Sequence, residues 1–420
     1  MSEEKLERAI LIGVHRRGVP SWEVEDNIEE LEQLLNTAGG EAVASIIHDM
    51  PSPDAGTFIG RGKVEELAGQ IDALDIDMVV FDDDLTGAQV RNLEKHFKCK
   101  VMDRSGLILD IFAKRARTKE ACIQVELAQL IYLRPRLTRR WQHLSRQVGG
   151  IGMRGPMRGP GETQLETDRR RMNQRISSLE NQLKRIERSR ATRRKGRQDI
   201  FKVAIVGYTN AGKSTLMNTL TRSDVFVEDR LFATLDPTVR AYVMPSGRKV
   251  LLIDTVGFIR KLPVGLLASF KSTLEESRQA DLFLNVVDLS HPHWEEQLER
   301  TEEILRELEL QKTPQVLVFN KIDNLEDPVL LEGLTRQYPQ ALFISALRKI
   351  RLYEIPAVIE RFAEQRWERG SRSFRPDEVH FLKDFENQVK VIGRSFRDGY
   401  IHVDYLTPVS EISEESPAHD

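Results

Sequence analysis

Gly207-Tyr-Thr-Asn-Ala-Gly-Lys-Ser214 has the spacing G-x-x-x-x-G-K-S. A loop of this kind wraps a row of phosphates with its backbone N–H groups and the positive end of the helix that follows. Lys213 reaches the β- and γ-phosphates, and the Ser214 hydroxyl ligates Mg²⁺. Gly207 and Gly212 let the backbone approach closely, while Tyr208, Thr209, Asn210 and Ala211 complete the cradle. The flanks suit the motif. Lys202-Val-Ala-Ile-Val206 reads as a buried strand and Thr215-Leu-Met-Asn-Thr-Leu-Thr221 as a helix, the context that separates a P-loop from a chance Gly-rich turn.

Three further stretches, each after an apolar run, add to it. Asp254-Thr-Val-Gly257 lets Asp254 hold Mg²⁺ through water and lets the Gly257 N–H sense the γ-phosphate, with Thr255 and Val256 between them. In Asn320-Lys-Ile-Asp323, Asp323 is placed to accept from the N1–H and exocyclic amine of guanine. Adenine has neither donor and would leave the carboxylate unpaired, a mismatch that costs large factors in selectivity. Lys321 packs along the loop and base, beside Ile322. Ser345, Ala346 and Leu347 close the base pocket. Four such motifs in order on one sheet point to GTP, bound and hydrolysed to GDP and phosphate in a Mg²⁺-dependent reaction.

The stretch Asp229-Arg-Leu-Phe-Ala-Thr-Leu-Asp-Pro-Thr238 is switch-like. A Thr hydroxyl here should reach the Mg²⁺ when the γ-phosphate is present, and both Thr234 and Thr238 qualify by chemistry. Phe232, Ala233, Leu235 and Asp236 line the same stretch. After Gly257 comes Phe258, where many signalling GTPases carry a water-orienting Gln. An aromatic ring cannot orient water by hydrogen bonding, so unaided hydrolysis should be slow. Asn210 suggests one remedy, a side-chain carbonyl holding a monovalent cation such as K⁺ near the β/γ bridge. Lys213, Asn210 and Gly257 are the expected catalytic positions.

The elements that must hold these residues read as an α/β chain in four parts. Residues 1–115 alternate short apolar runs with amphipathic segments, a small α/β domain with a mostly parallel sheet. Within it, Ile59-Gly-Arg-Gly-Lys63 reads as a helix-initiating turn and Asp82-Asp-Asp84 as a solvated strand end. Residues 116–200 read as an α-helical hairpin. One helix spans 120–147, with Pro135 expected to kink or split it. A Gly/Pro-rich tip loop covers 149–161, and a second helix from near Glu162 carries Leu165, Met172, Ile176, Leu179, Leu183 and Ile186 at coiled-coil spacing. Dense Arg on that second helix, with sparse acid, favours contact with an RNA phosphate backbone. Residues 201–370 form the doubly wound nucleotide domain, with the site at the strand C-termini. Residues 371–420 hold a β-hairpin turning at Asp398-Gly399 and an acidic tail.

Bulk composition narrows the field. The 420 residues carry a net charge of −3, and 30% are charged. A near-neutral total with basic residues crowded in the middle leaves an RNA partner open. Cys99 and Cys122 are too few for a thiolate metal site and suit a reducing compartment. The start of the chain lacks an apolar signal core, and no run is long enough to span a membrane.

With these motifs on the page, the chain resembles the HflX family of ribosome-associated GTPases from roughly residue 8 to 370. The most specific parts are Arg154-Gly-Pro, Gly159-Pro-Gly-Glu-Thr-Gln-Leu-Glu166, Phe232-Ala-Thr-Leu-Asp-Pro237 and Asp254-Thr-Val-Gly-Phe258. Ile59-Gly-Arg-Gly-Lys-Val-Glu-Glu-Leu67 and Asp103-Arg-Ser-Gly-Leu-Ile-Leu-Asp-Ile-Phe112 resemble the family's N-terminal domain. A monomer is expected, and the resemblance implies a GTPase that binds the 50S ribosomal subunit. It also implies the splitting or rescue of stalled ribosomes under stress, with the N-terminal domain and hairpin reaching rRNA. It implies Thr234 as the switch metal ligand. A cytoplasmic protein, in part at the membrane, is expected. The chain departs from the family pattern in an extra Met-Arg-Gly-Pro unit at the tip, in Pro135, and in Arg348-Lys349 where a Thr-Gly turn is usual. Two other readings stand beside this one: a nucleotide-driven RNA remodeller and a GTP-gated protein scaffold.

Overall fold

A computed structural model describes residues 6–136, 164–194, 200–221, 231–232, 238–261, 277–325, 328–365, 367–376, 382, 385 and 389–408. The first sheet is built from β1 (Glu7–His15), β2 (Gly40–Asp49), β3 (Met78–Phe81) and β4 (Lys100–Asp103), all parallel, in the order β2-β1-β3-β4. Helices α1 (Ser21–Ala38) and α4 (Arg104–Arg115) cover one face, and α2 (Arg61–Leu74) and α3 (Gly87–Phe97) the other. Ala9 and Leu11 enter one core, Ile10 and Ile12 the opposite one. A strand buried on both faces has no place for polar alternation, which is why it reads as a continuous apolar run. The Gly-Arg-Gly turn at 60–62 does initiate a helix, with Gly60 as N-cap of α2.

Helix α5 (Lys119–Leu133) stops in a 3₁₀ turn, Arg134–Arg136. Pro135 offers no N–H to continue the α-helical ladder, and the α-helix ends at Leu133, two residues before it. The rest of the helix expected to reach 147, and the tip loop 149–161, lie outside the described residues. Helix α6 (Gln164–Arg194) packs on α5 through Ile123, Leu127, Ile176, Leu179 and Leu183. Arg175 makes two hydrogen bonds to Glu126, at 2.7 and 2.8 Å. The remaining basic face, including Arg169, Arg170, Arg171, Lys184 and Arg185, is exposed.

The second sheet runs β10-β9-β8-β5-β7-β6. It comprises β5 (Lys202–Gly207), β6 (Thr238–Val243), β7 (Lys249–Asp254), β8 (Leu282–Asp288), β9 (Gln315–Asn320) and β10 (Leu342–Phe343), with only β6 antiparallel. Helices α7 (Lys213–Thr221), α8 (Trp294–Glu307), α9 (Pro328–Gln337) and α10 (Glu354–Gln365) join the strands. From β5 the chain moves to β7 on one side and to β8 on the other. Such a reversal opens a crevice at the strand C-termini. The helix expected near 264–279 lies outside the described residues apart from a short 3₁₀ turn, Ser277–Gln279. A third sheet, ordered β11-β13-β12, joins β11 (Trp367–Phe374), β12 (Lys390–Arg397) and β13 (Tyr400–Pro408). Asp398 and Gly399 both take positive φ, as a two-residue hairpin turn of this hand needs. Among the described residues, no helix is long and apolar enough to cross a membrane.

Leu179 is 1% exposed at the centre of the α5–α6 seam. Leu179→Ala is expected to cost about 2–5 kcal/mol there. Hydrogen exchange should show α5 and α6 losing protection together, with stabilisation by added GTP unchanged.

Candidate functional site

The P-loop leaves β5 at its C-terminal end, where Gly207 has φ of 141° and a Cβ would fall 2.1 Å from the Val286 carbonyl oxygen. Gly212 is equally constrained, with φ of 90° and Asn320 Nδ2 where its Cβ would lie. Asn210 also takes a left-handed φ, 58°, and is exposed. Lys213 is buried and donates from Nζ to the Tyr208 carbonyl at 2.5 Å. Burial pulls its pKa down to about 8 against the opposing pull of Asp254. Ser214 Oγ donates to Asp254 Oδ2 at 2.8 Å. A hydroxyl from the start of α7 and a carboxylate from the end of β7 are the hard oxygen donors Mg²⁺ prefers. Beside them Thr209 Oγ1 is buried without a hydrogen-bond partner. A buried ammonium, an orphaned hydroxyl and this oxygen pair fit a Mg²⁺-bound polyphosphate.

The D-x-x-G segment clasps the P-loop through backbone. Thr209 N–H donates to the Phe258 carbonyl at 2.7 Å, and Phe258 N–H to the Gly207 carbonyl at 3.1 Å. Thr255 Oγ1 donates to the Ile205 carbonyl at 2.7 Å. A Cβ on Gly257 would meet Thr209 Cα at 2.8 Å and Lys213 Nζ at 2.9 Å. Phe258 is 3% exposed and packs among Val206, Ile253 and Phe283 under the sheet. Val256 packs against the core of the N-terminal sheet.

At the base end, Asn320 is the hub. Its Nδ2 donates to the Ala211 carbonyl at 2.8 Å, and its Oδ1 accepts from Ala346 N–H at 2.9 Å. One buried amide thereby joins the P-loop to the segments that follow β9 and β10. Lys321 takes a left-handed φ and pairs with Asp288 at 2.7 Å. Ile322 N–H donates to the Ile344 carbonyl. Ser345 Oγ accepts from Arg348 N–H at 3.0 Å, Leu347 is exposed, and Arg348 Nε lies 3.8 Å from Asp323. Ala233, Thr234, Leu235 and Asp236 lie outside the described residues. Phe232 is buried against Phe112, ring centroids 4.6 Å apart, and its carbonyl accepts from Arg115 at 2.9 Å. Thr238 opens β6 opposite Asp254.

Sequence reasoning missed a second layer. The Tyr208 hydroxyl donates to Glu30 Oε1 at 2.6 Å and accepts from Arg260 N–H at 2.9 Å. Glu30 also pairs with Arg104, which is 1% exposed and binds Asp82 Oδ1 at 2.6 Å. Arg260 pairs with Asp26, and Lys261 with Asp82 and Asp83. The reading of Asp82-Asp-Asp84 as a solvated strand end is therefore corrected. Asp82 is 3% exposed, and desolvation lifts its pKa to about 6 against the pull of Lys261. The available signal was Arg104 just ahead of the apolar run Leu107-Ile-Leu109, a charge that needs a buried partner.

Three family profiles match the chain: "GTP-binding GTPase N-terminal" over residues 25–113, "GTP-binding GTPase Middle Region" over 115–197, and "50S ribosome-binding GTPase" over 202–321. A curated GTPase HflX from Magnetococcus marinus is 52% identical over 78% of this chain and 75% of its own length. Another, from Caldanaerobacter subterraneus, is 45% identical over 94% of this chain and 90% of its own. The chain belongs to the HflX family of GTPases. A solved GTP-binding protein from Sulfolobus solfataricus in complex with GDP is 26% identical, covering 86% of this chain and 99% of its own, with a TM-score of 0.45. This HflX-family enzyme binds guanine nucleotide and hydrolyses GTP, on an α/β P-loop fold.

The burial of Lys213 sets a pH test. Its free-state pKa is depressed to about 8, and a polyphosphate beside it would restore the ordinary value. Binding above that pH therefore takes up a proton, and affinity falls as pH rises through about 8, by up to about tenfold per unit. Calorimetric titration with GTP between about pH 7 and about 9 should show the fall and the matching proton uptake.

Proposed function

We propose that this chain is a GTP-gated ribosome factor that binds the 50S subunit and splits or rescues stalled ribosomes. It would work as a cytoplasmic monomer in four parts: residues 1–115, 116–200, 201–370 and 371–420. The observation that carries the gating is Tyr208. Its backbone belongs to the phosphate loop, and its hydroxyl belongs to the N-terminal domain through Glu30. A cavity of about 80 Å³ beside it is lined by Asp26, Glu29, Glu30, Thr209 and Asn210. Phosphate charge arriving at Thr209 and Asn210 works against those carboxylates, so the nucleotide biases how the N-terminal domain and its Arg-rich helix are seated.

Within the site, Gly207 to Ser214 would hold the phosphates, Lys213 neutralising charge at the β/γ bridge. Mg²⁺ on Ser214, Thr234 and, through water, Asp254 would add positive charge there when bound. Gly257 N–H would report the γ-phosphate. Asp323, Lys321 and the Ser345–Leu347 turn would read the guanine. The expected rRNA contacts are the exposed Arg169, Arg170, Arg171, Arg185 and Arg188 of α6.

Sedimentation with purified 50S subunits tests this reading. The chain should pellet with a non-hydrolysable GTP analogue and much less with GDP, and the complex should weaken steeply with salt. Tyr208→Phe should narrow the gap between the two nucleotide states. Equal pelleting in both states would refute the gating.

A K⁺ ion on Asn210 is the proposed aid to hydrolysis, since Phe258 is packed into the core and carries no group that could orient water. Turnover should be roughly tenfold or more faster in K⁺ than in Na⁺ buffer, with Asn210→Ala erasing the difference. Identical rates in both salts would remove the ion from the account.

A further inference from the structure

Among the described residues, the C-terminal sheet has a core beneath one face and none beneath the other. Alternation along β13 sends Ile401, Val403 and Tyr405 to the covered side, where Phe374 and Phe385 pack. Tyr400 and His402 take the other side. The register puts Arg397 directly opposite Tyr400, and Ser373 and Ser395 on either side of His402. Ser373 Oγ lies 2.8 Å from His402 Nδ1, which fixes the plane of the imidazole. Tyr400 is 40% exposed, and Arg397, Ser395 and Ser373 are exposed as well.

The chemistry of this face selects its occupant. Two rings sit about 7 Å apart on the central strand, the span of two residues. A guanidinium and two hydroxyls flank them, and the register brings no aliphatic side chain among them. A protein-docking face would centre on a desolvated apolar anchor. An exposed ring and a half-buried one, with a neighbouring guanidinium and hydrogen-bonding hydroxyls, suit unpaired bases stacking on the rings and phosphates meeting the cation. On the flanking strand β12, Arg397 stands on this face opposite Tyr400 and gives a charge complement to a phosphate backbone, while Arg394 pairs with Val403 and takes the covered side. Asp404 bounds the face at its far end.

We propose that the open face of this sheet, centred on Tyr400, His402 and Arg397, binds single-stranded RNA by base stacking. This is a second RNA site, distinct from the α6 helix, and it stands without the ribosome reading.

The test uses the full chain and a photoreactive single-stranded RNA of about 12 nucleotides containing 4-thiouridine. The cross-link is expected in the tryptic peptide that follows Arg397, residues 398–420. Tyr400→Ala should weaken oligonucleotide binding about tenfold, while Tyr400→Phe, which keeps the ring, binds as the parent does. Duplex RNA of equal length should compete poorly. Cross-links confined to 164–194, or unchanged affinity in Tyr400→Ala, would overturn the site. If 50S co-sedimentation persists in that case, this inference fails and the ribosome reading remains.

Discussion

Tyr208 is the point where two tasks meet in one residue. Its carbonyl accepts from Lys213, its neighbours' backbones pair with Phe258, and its hydroxyl leaves the loop for Glu30 and Arg260 N–H. Desolvation raises its pKa to about 12, with the nearby Arg104 pulling the other way. The hydroxyl therefore stays protonated and keeps donating to the carboxylate. Phosphate binding and N-terminal docking cannot be adjusted independently at such a residue. Rearrangement of the loop disturbs a buried ionic network, and removing one member of such a network leaves its partners unpaired, a cost of several kcal/mol.

The two ends of the nucleotide site are held differently. At the base end the restraints stay within the nucleotide domain, with Asn320 joining three loops and Lys321 paired to Asp288. At the phosphate end the restraints cross to another sheet through Tyr208, Arg260, Lys261 and Phe232. If these loops read the base as proposed, docking reaches that end only through the turn after Asp288, where His291 pairs with Asp26, while the phosphate end meets it directly. That division suits a switch, because the base is common to GTP and GDP and only the terminal phosphate carries the signal.

The sequence made the P-loop and its companion loops legible because their chemistry is local. Glycines at fixed spacing, a Lys and a Ser suffice, and the strands before them are apolar runs. The doubly wound sheet followed from the same runs. Edge strand β6 escaped because its alternation of half-buried and exposed residues does not stand out from a loop. Helix α4 escaped because its apolar run is buried nearly all round and has no clear helical face. The interlock escaped for another reason. Tyr208 and Glu30 lie 178 positions apart, and neither residue type announces a partner. Asp82-Asp-Asp84 looked solvated because three adjacent acids usually are. Only the docking of Lys261 and Arg104 from other elements makes the first of them a core residue.

Phe258 would tie the proposed slow hydrolysis to the architecture. Its ring fills space under the sheet with Val206, Ile253 and Phe283, and that anchoring fixes the backbone whose carbonyl receives Thr209 N–H. A Gln there would orient water but would place an amide in an apolar cluster, where an unmet hydrogen bond costs about 1–3 kcal/mol. The aromatic ring gives a firm join between the P-loop and the segment leading to Arg260 and Lys261. It removes a catalytic group by the same act. On the proposed reading, a chain built this way would hold its bound state until something outside the segment supplied the missing positive charge or water contact, the behaviour expected of a timer that waits for its target.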